Sequence, residues 1–324
     1  GVNEGWSFEA RRFNLFTYSV IADGIVVASE IEMEHGGEEF KLEYALLDIT
    51  FHEALNLRGG IILSPLGKTN LTHDSPKLEL AERPLVATEI IPSTLSEVGI
   101  GFFGSFYPSD VSRLTYELYA VNGFSQDIIE DAERTTIPFG KGKLFEEDNN
   151  GEPAFVGRVA YSPTYGTDIG FSFHRGAYNV FKSDGLDVDD RRSLSILAFD
   201  VEHNEGWIHV QGEAALARID IPASLQGLFA ERQAGYFLQA NVPFGDGLFE
   251  LWRRSKFTAS ARIDVVDFDR DIRGDDHARL TLGVNFRPVA DTALKFNYEQ
   301  NWLYDRDNNL TRSVSFIISL ASYF

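Results

Sequence analysis

Regularly spaced acidic residues are the first groups in this sequence that could carry chemistry. In the segment DFDRDIRGDD, Asp267, Asp269 and Asp271 have the spacing of the first ligands of an EF-hand calcium loop. However, Gly274 stands in the wrong place, and Ala278 occupies the position where a bidentate glutamate is needed. We interpret this segment as a solvent-exposed loop and keep calcium binding as a weak alternative.

Other motifs that could bind a cofactor or catalyse a reaction are incomplete. The segment GIGFFG has the form of a dinucleotide-binding motif, but SFYPSD follows it, which is typical of a strand end and a turn rather than a helix. The seven histidines form no zinc-binding pair, and the chain has no cysteine. No G-x-S-x-G nucleophile motif occurs, and glutamate pairs that could serve a glycosidase arise by chance in so acidic a chain. We predict no catalytic residue, no resident metal and no cofactor.

Charge and composition limit the class of protein further. The chain has 49 acidic and 29 basic residues, which give a net charge of −20. A nucleic-acid-binding protein needs a basic face that replaces the counterions of the phosphates, so we predict no nucleic-acid partner. Aromatic residues make up 13% of the 324 residues, and glycine is frequent, which favours a large sheet protein.

The positions of the apolar residues predict strands. In TRSVSFIISLASYF, every second residue from Val314 to Leu320 is apolar, and most of the residues between them are small or polar. The same period of two occurs in ARLTLGVNFRP, TALKFNYEQNWLY and DGIVVASEIEMEH. Three glutamates, Glu30, Glu32 and Glu34, share the polar side of the last of these segments.

Alternation also occurs in soluble sandwiches, but three features favour a transmembrane barrel. The predicted strands are long, and aromatic residues such as Trp207, Trp302 and Tyr323 lie near strand ends, as at a membrane–water interface. The links between strands alternate between short turns and longer loops that are rich in Asp, Asn and Gly. This rhythm is typical of an antiparallel up-and-down β-barrel in an outer membrane.

We predict a single all-β domain over residues 1–324. Fifteen strands are predicted near 6–19, 24–35, 39–51, 55–64, 97–107, 112–122, 153–163, 167–178, 191–203, 206–219, 232–243, 247–267, 277–288, 291–304 and 311–324. Because bacterial single-chain barrels have an even number of strands, we expect sixteen, with the first strand missing or trimmed.

Several segments resemble the phosphate-selective porin family, the O/P-type porins of Gram-negative outer membranes. The similar segments are FEARRFNLFTYSVIADGIVVASEIEMEHGGEEFKLEYALLDITFHEALNLRGGIILSPLG, ERPLVATEIIPSTLSEVGIGFFG, LTYELYAVNGF, GYFLQANVPF, FELWRRSKFTASARIDVVDFD and ARLTLGVNFRPVADTALKFNYEQNW. They cover most of the chain and keep the order that they have in that family. The resemblance implies a barrel of sixteen strands, usually a homotrimer, that passes small hydrophilic solutes.

The resemblance also implies roles for two parts of the chain. The loop after the fifth strand folds into the lumen in such porins, which here identifies residues 65–96 as a candidate constriction loop. The terminal Phe324 resembles the signal that the barrel-insertion machinery reads during assembly. The expected location is the outer membrane of a Gram-negative bacterium, with lipid and lipopolysaccharide as partners, the latter through divalent cations.

Charged residues that the alternation or the candidate loop directs inward are candidates for lining the pore: Glu30, Glu32, Glu34, Arg279, Arg287 and Lys295 on strands, and Lys68, His73, Asp74, Lys77, Glu79, Glu82 and Arg83 on the loop. The family's phosphate selectivity depends on ladders of Arg and Lys, and this acidic sequence has no Lys cluster. We therefore expect a mixed or cation-preferring channel, because an acidic lumen concentrates cations. A basic strip of arginines is the opposing interpretation.

Two further hypotheses remain open at this stage. A barrel of the same family could hold a partner or serve a structural role with a plugged lumen. A more remote alternative is a soluble all-β protein that acts on carbohydrate.

Overall fold

The strands of the protein form one continuous antiparallel sheet. The structure, a computed structural model, describes residues 5–130, 134–141, 145, 148 and 150–323. Fifteen strands pair in the order of the chain, each with its sequence neighbours. In order, they are β1 (Arg12–Ala22), β2 (Ile25–Glu34), β3 (Glu39–His52), β4 (Leu55–Leu63), β5 (Ser96–Phe106), β6 (Arg113–Val121), β7 (Ala154–Ser162), β8 (Thr167–Ala177), β9 (Ser193–Asn204), β10 (His209–Ile219), β11 (Arg232–Phe244), β12 (Lys256–Asp267), β13 (Asp276–Val289), β14 (Thr292–Tyr304) and β15 (Leu310–Ser322).

The fifteen predicted strands are confirmed, with two large errors of boundary: the strand predicted at 6–19 begins only at Arg12, and a second error is larger. The predicted strand 247–267 begins only at Lys256, because residues 245–255 form turns that fold back on the sheet. The sixteenth strand is not among the described residues. Since the sheet has an odd number of antiparallel strands, its edge strands β1 and β15 run in the same direction. The rings of Phe16 and Tyr323, at these two edges, lie 6.4 Å apart.

The links between strands divide into two kinds, which lie at opposite ends of the sheet. At the short-turn end lie residues 23–24, 53–54, 107–112, 163–166, 205–208, 245–255 and 290–291. At the long-loop end lie residues 35–38, 64–95, 122–153, 178–192, 220–231, 268–275 and 305–309. The long loops include the short helices Lys68–Leu71 and Val86–Glu89, the 3-10 turns His35–Gly37, Gln126–Ile129 and Ile137–Lys141, and a two-stranded hairpin of Lys182–Ser183 and Leu186–Asp187.

The two faces of the sheet differ in polarity. On β12, Ala261 and Ile263 are exposed, whereas Arg262 and Asp264 are buried under the loop of residues 64–95. This contact defines the inner face. The outer face carries apolar side chains that are about half exposed, among them Phe102, Leu118, Phe171, Phe199, Leu216, Leu238, Leu282, Phe296 and Ile318. None of the helices in the described residues is long and apolar enough to cross a membrane.

An apolar cluster fills part of the space inside the sheet, towards the long-loop end. Buried loop residues at its centre are Leu85, Val86, Ile90, Ile91, Leu95, Phe124, Ile128 and Ile137. They pack against inward residues of the strands such as Val121, Val156, Ile196 and Ile219. Two loops, that of residues 64–95 and the described part of that of residues 122–153, therefore lie inside the curvature of the sheet and limit the space that remains there.

Candidate channel wall and inner loop

Residues 64–95, which we call the inner loop, are closed at their base by one asparagine. Asn70 is fully buried, and its side-chain amide donates hydrogen bonds to the carbonyl oxygens of Ser64 (2.8 Å) and Leu95 (3.0 Å). Its side-chain oxygen accepts a hydrogen bond from the Leu95 amide at 2.9 Å. Asn70 thus joins the first and last residues of the loop. The sequence offered no signal for this role.

The first turn of the inner loop reaches the wall formed by β8, β9 and β10. The Gly67 amide donates to Ser172 Oγ at 2.8 Å, and the Thr69 amide donates to Glu213 Oε2 at 2.9 Å. Gly67 has a φ of +70°, which a glycine adopts without strain and which turns the chain towards this wall. The loop is therefore attached on the side of the sheet away from its own base.

Basic side chains of β12, β13 and β14 hold the middle of the inner loop. Their terminal nitrogens donate to main-chain carbonyl oxygens that would otherwise be buried without a partner. The pairs are Arg262 with Glu82 (2.9 Å), Arg279 with Arg83 (2.6 Å), Arg287 with Pro76 (2.6 Å) and Lys295 with Ser75 (2.6 Å). Asp264 completes the contact by accepting from the Leu85 amide at 2.9 Å.

Arg279, Arg287 and Lys295 were predicted to line the pore, and that role stays a prediction. All three side chains are buried, and each donates to carbonyl oxygens of the inner loop. Their hydrogen-bonding capacity is spent on the loop backbone, so they fasten the loop rather than form an open basic strip.

Three cations, Arg12 and Arg58 on the remaining walls and Lys68 at the start of the inner loop, each face two carboxylates of the walls. Arg12 lies 2.7 Å from Glu32 and 3.1 Å from Glu34. Arg58 lies 2.8 Å from Asp48 and 3.6 Å from Glu117. Lys68 lies 2.6 Å from Asp168 and 2.5 Å from Glu202. Each of these groups, which we call the acidic triads, has a net charge of −1 when its three members alone are counted and ionised, and Glu34 and Glu202 also contact Lys41 and His209, each at 2.7 Å.

Solvent reaches the triads. The side chains of Arg12, Arg58 and Lys68 are 16%, 22% and 24% exposed, in contrast to the 2% exposure of Arg262 under the inner loop. The cations and five of the six carboxylates of the triads are therefore partly exposed, and only Glu32, at 2% exposure, is covered. The arginines under the inner loop lie beside covered carboxylates of their own, Asp264 and Glu299.

A further group of carboxylates connects β2 and β3 to the inner loop. Glu43 lies 3.2 Å from His73 Nε2, and the His73 Nδ1 lies 2.8 Å from the Asn70 carbonyl oxygen. Glu30 and Glu32 are buried on the adjoining strand, where Asn14 donates to Glu30 at 2.5 Å. The predicted inward positions of Glu30 and Glu32 agree with this arrangement.

The other charged residues of the inner loop have separate partners. The Asp74 carboxylate accepts from the hydroxyl of Tyr323 at 2.8 Å and pairs with Lys77 at 2.7 Å. Glu79 pairs with Arg287 at 3.4 Å.

Ionisation of Glu82 and Arg83 is perturbed by their surroundings. Burial opposes ionisation of Glu82, but its hydrogen bonds with Arg11 and the positive charges of Arg11, Arg279 and Arg262 together outweigh that effect and lower its pKa. Burial, reinforced by the nearby Arg12, lowers the pKa of Arg83 to about 10. At neutral pH, both groups remain charged beside the loop's anchors.

A cavity of about 250 Å³ lies between the inner loop and the wall of β9, β10 and β11. Its lining is mixed and includes the ionisable residues Lys68, Lys77, Asp200, Glu202, His209 and Glu213, with Phe237 as an aromatic member. One acidic triad, that of Lys68, thus borders this space. The arrangement can hold small hydrated or cationic solutes.

Lys141 joins the two loops inside the sheet and provides a test of their packing. Its Nζ donates to the Pro92 carbonyl oxygen at 3.4 Å. Burial, assisted by the charges of Lys41 and Arg83, lowers the pKa of Lys141 from 10.5 to about 8. The unfolded chain therefore binds more protons than the folded protein between those values, and the free energy of unfolding is expected to rise as pH increases from about 8 to 10.5.

We expect Lys141→Met to stabilise the protein by about 2 kcal/mol at pH 7 and to flatten this pH dependence, since the variant has no charge to desolvate. Samples at pH 7 and pH 10 are heated to a series of temperatures and then run on a gel without boiling. The readout is the temperature at which half of the protein has shifted from the folded to the unfolded mobility. Lys182→Met, at an exposed hairpin position, is the matched control. An unchanged pH dependence in Lys141→Met would show that Lys141 is solvated.

The residues of the calcium hypothesis have other partners. Asp269 pairs with Arg306 at 3.3 Å, and Asp271 pairs with Arg232. Oxygens of Asp267 and Asp269 also accept from backbone amides two residues ahead. Calcium binding at these residues stays an untested prediction. Phe324, the proposed assembly signal, lies outside the described residues.

Within the described ranges, Glu34, His35 and Glu39 form a group whose potential metal ligands converge. Lys41 already occupies it, with its ammonium 2.7 Å from Glu34 and 2.9 Å from Glu39. The group is therefore a salt-bridge cluster at the long-loop end.

The architecture is that of a porin-type β-barrel. The protein resembles OmpF of Salmonella typhi, solved in complex with daunomycin (TM-score 0.61, 12% identity, 96% of this chain and 89% of that chain). It also resembles an anion-selective porin from Comamonas acidovorans (TM-score 0.56, 14% identity, 96% and 85%) and the outer membrane channel DcaP of Acinetobacter baumannii (TM-score 0.56, 13% identity, 97% and 85%).

At the level of sequence, the chain matches no established protein-family model. It is 34% identical over 331 residues to an uncharacterized protein of Aquifex aeolicus (strain VF5), a match that covers 92% of this chain and 71% of that protein. The chain belongs to the same family as this Aquifex protein.

Proposed function

We propose that the protein is an outer-membrane porin through which small hydrophilic solutes diffuse passively, with a preference for cations. The observation that carries the proposal is the distribution of charge on the inner face. The open walls carry the three acidic triads, whereas Arg262, Arg279, Arg287 and Lys295 are buried against the inner loop.

The outer face supports placement in a lipid bilayer. Large apolar side chains stand about half exposed on consecutive strands around the sheet, which is unfavourable in water and favourable against hydrocarbon. Every backbone group of a closed barrel is paired between strands, which is the condition for strands to cross a membrane. The porin-type neighbours are consistent with this placement, and a Gram-negative outer membrane is the location that we propose.

The inner loop is proposed to form the constriction. It contacts β3 through His73, the wall of β8 to β10 through Gly67 and Thr69, and β14 through Lys295. A segment held at so many points can define a fixed pore cross-section. We further propose membership of the O/P-type porin class and assembly as a homotrimer in lipid and lipopolysaccharide, and the channel itself needs no cofactor and no catalysis.

One observation favours a second candidate function. The apolar cluster fills part of the interior with buried side chains of both loops, among them Ile90, Leu95 and Ile128. A barrel plugged in this way could serve a structural role or hold a partner at the membrane.

Recording in planar lipid bilayers separates the two proposals. If the space beside the inner loop is continuous with both ends of the barrel, we expect the purified protein to insert and to give stable steps of conductance in 1 M KCl. Insertion without conductance would favour the plugged barrel and would contradict the porin proposal.

A further inference from the structure

Residues 245–255, which we call the rim segment, are unusual among the links at the short-turn end. The other links at that end have at most six residues, whereas the rim segment is long enough to fold over the sheet. Gly245 and Gly247 have φ values of +67° and +65°, the left-handed region that favours glycine, and they turn the chain back on itself. The Gly247 amide then donates to the Ser255 carbonyl oxygen at 2.8 Å and closes the segment.

The rim segment packs on the outer face through aromatic rings. The ring of Phe249 lies 5.4 Å from that of Phe286 and 6.3 Å from that of Phe257, and the ring of Trp252 lies 5.9 Å from that of Phe286. Phe244 extends the cluster at 5.5 Å from Phe257. The segment is therefore held against the surface that faces lipid in the proposed function, at the edge of the apolar belt.

Part of this cluster has no partner in the protein. Leu248 is 66% exposed and Leu251 is 80% exposed, while Phe249 and Trp252 remain about 40% exposed after packing. Four large apolar side chains within five residues would be poorly placed in bulk water.

Two arginines follow this apolar group. Arg253 and Arg254 are exposed, and neither forms an ion pair with any residue that the structure describes. Asp246 and Glu250 of the rim segment are also exposed. The two arginines, however, are the charged residues that follow Trp252 directly. Lys256 belongs to the side of β12 that alternates inward, so it is not part of this surface.

Other exposed aromatic residues at the short-turn end indicate which kind of partner contacts the rim segment. Phe51, Tyr107, Tyr165 and Trp207 are all more than half exposed and lie at other links or strand ends there. The aromatic residues thus continue around the sheet instead of forming one patch. A membrane–water interface contacts the whole circumference, whereas a second copy of the chain would cover one side.

We propose that the rim segment binds anionic phospholipid. Trp252, Leu248 and Leu251 enter the border of the hydrocarbon, and Arg253 and Arg254 contact phosphate groups of the lipid head groups. Asp246 and Glu250 balance the charge of Arg253 and Arg254 within the segment, so the preference for anionic over zwitterionic lipid rests on direct contact of the two arginines with phosphate and is expected to be about threefold in affinity. This inference rests on the membrane placement in the proposed function and adds a lipid-binding site to it.

The test uses the purified protein in nanodiscs of phosphatidylcholine that contain either brominated phosphatidylglycerol or brominated phosphatidylcholine at equal fraction. A variant that retains Trp252 alone, with Trp6, Trp207 and Trp302 changed to Phe, reports lipid contact through quenching by bromine. Stronger quenching by the anionic lipid is expected, and Arg253→Gln with Arg254→Gln should remove the difference. Arg113→Gln with Arg218→Gln removes the same charge from exposed positions elsewhere and should leave the difference unchanged.

Native mass spectrometry of the chain with all four tryptophans, in detergent with added phosphatidylglycerol, provides an independent readout of the same arginine pairs. Equal quenching by both lipids, loss of the difference in the control variant, or protection of Trp252 by a second copy would each overturn the inference. Conductance is recorded on the same preparations. Because a conducting protein without lipid preference defeats only this inference, and a protein that fails to insert defeats the proposed function, the two failures are distinguishable.

Discussion

In the Asn70→Ala variant, amide hydrogens at both ends of the inner loop are expected to exchange at least a hundredfold faster than in the parent protein. The substitution removes two hydrogen bonds donated by Asn70 and one that it accepts, all inside a fully buried site. The Leu95 amide is then left without a partner, whereas the carbonyl oxygens of Ser64 and Leu95 keep the backbone amides of Leu66 (2.8 Å) and Ser64 (2.9 Å). One buried donor left without a partner costs about 1–3 kcal/mol, and each of the two lost hydrogen bonds to the carbonyl oxygens costs about 0.5–1.5 kcal/mol, so the local free energy of opening falls by roughly 3 kcal/mol.

Hydrogen–deuterium exchange with mass spectrometry measures this effect in peptides that span residues 64–72 and 89–97. Asn56→Ala is the matched control, because Asn56 is also buried but binds only the Phe103 carbonyl oxygen on a neighbouring strand. Residues 75–83 should change less, since Arg262, Arg279, Arg287 and Lys295 still hold them. Unchanged exchange at both ends of the loop would mean that Asn70 does not close it.

The combined variant Glu34→Gln, Glu117→Gln and Glu202→Gln is expected to lose most of its preference for cations. It removes one carboxylate from each acidic triad, which makes each triad neutral. Coulomb's law in water gives roughly 0.5 kcal/mol between unit charges about 8 Å apart, favourable for a cation and unfavourable for an anion. The resulting difference of about 1 kcal/mol corresponds to a roughly fivefold ratio of permeabilities, which should fall close to one.

Permeability ratios from reversal potentials of single channels provide the measurement. The control is Glu53→Gln, Asp110→Asn and Asp246→Asn, which changes the net charge equally at exposed turns of the short-turn end. The control should retain the parent ratio. If the two sets of substitutions had the same effect, the selectivity would arise from the overall charge of the protein rather than from the triads.

The sequence predicted the strands well because their signal is local. A period of two along β13 placed Arg279 and Arg287 on the inner face, and the structure agrees. The rhythm of short and long links likewise predicted the order and direction of the strands. The rim segment was misjudged because its apolar residues continue the composition of the strand that follows, while Gly245 and Gly247 set the turns.

The contacts of the inner loop could not be predicted in the same way. Arg279 and Lys295 were expected to line the pore, but each donates to a carbonyl oxygen roughly two hundred residues away in the chain. Such pairs depend on the path of the loop, and alternation gives no information about that path. For the same reason, the role of Asn70 and the pairing within the acidic triads could not be predicted from the sequence.

The reversal potential of the unmodified protein across a KCl gradient in a planar bilayer tests the central claim most directly. If the open inner face is lined by the acidic triads while the arginines of β12 and β13 are occupied by the inner loop, current should reverse at a potential directed towards the equilibrium potential of K⁺. A potential directed towards that of Cl⁻ would contradict the account, because it would mean that the basic residues, and not the triads, line the path of the ions.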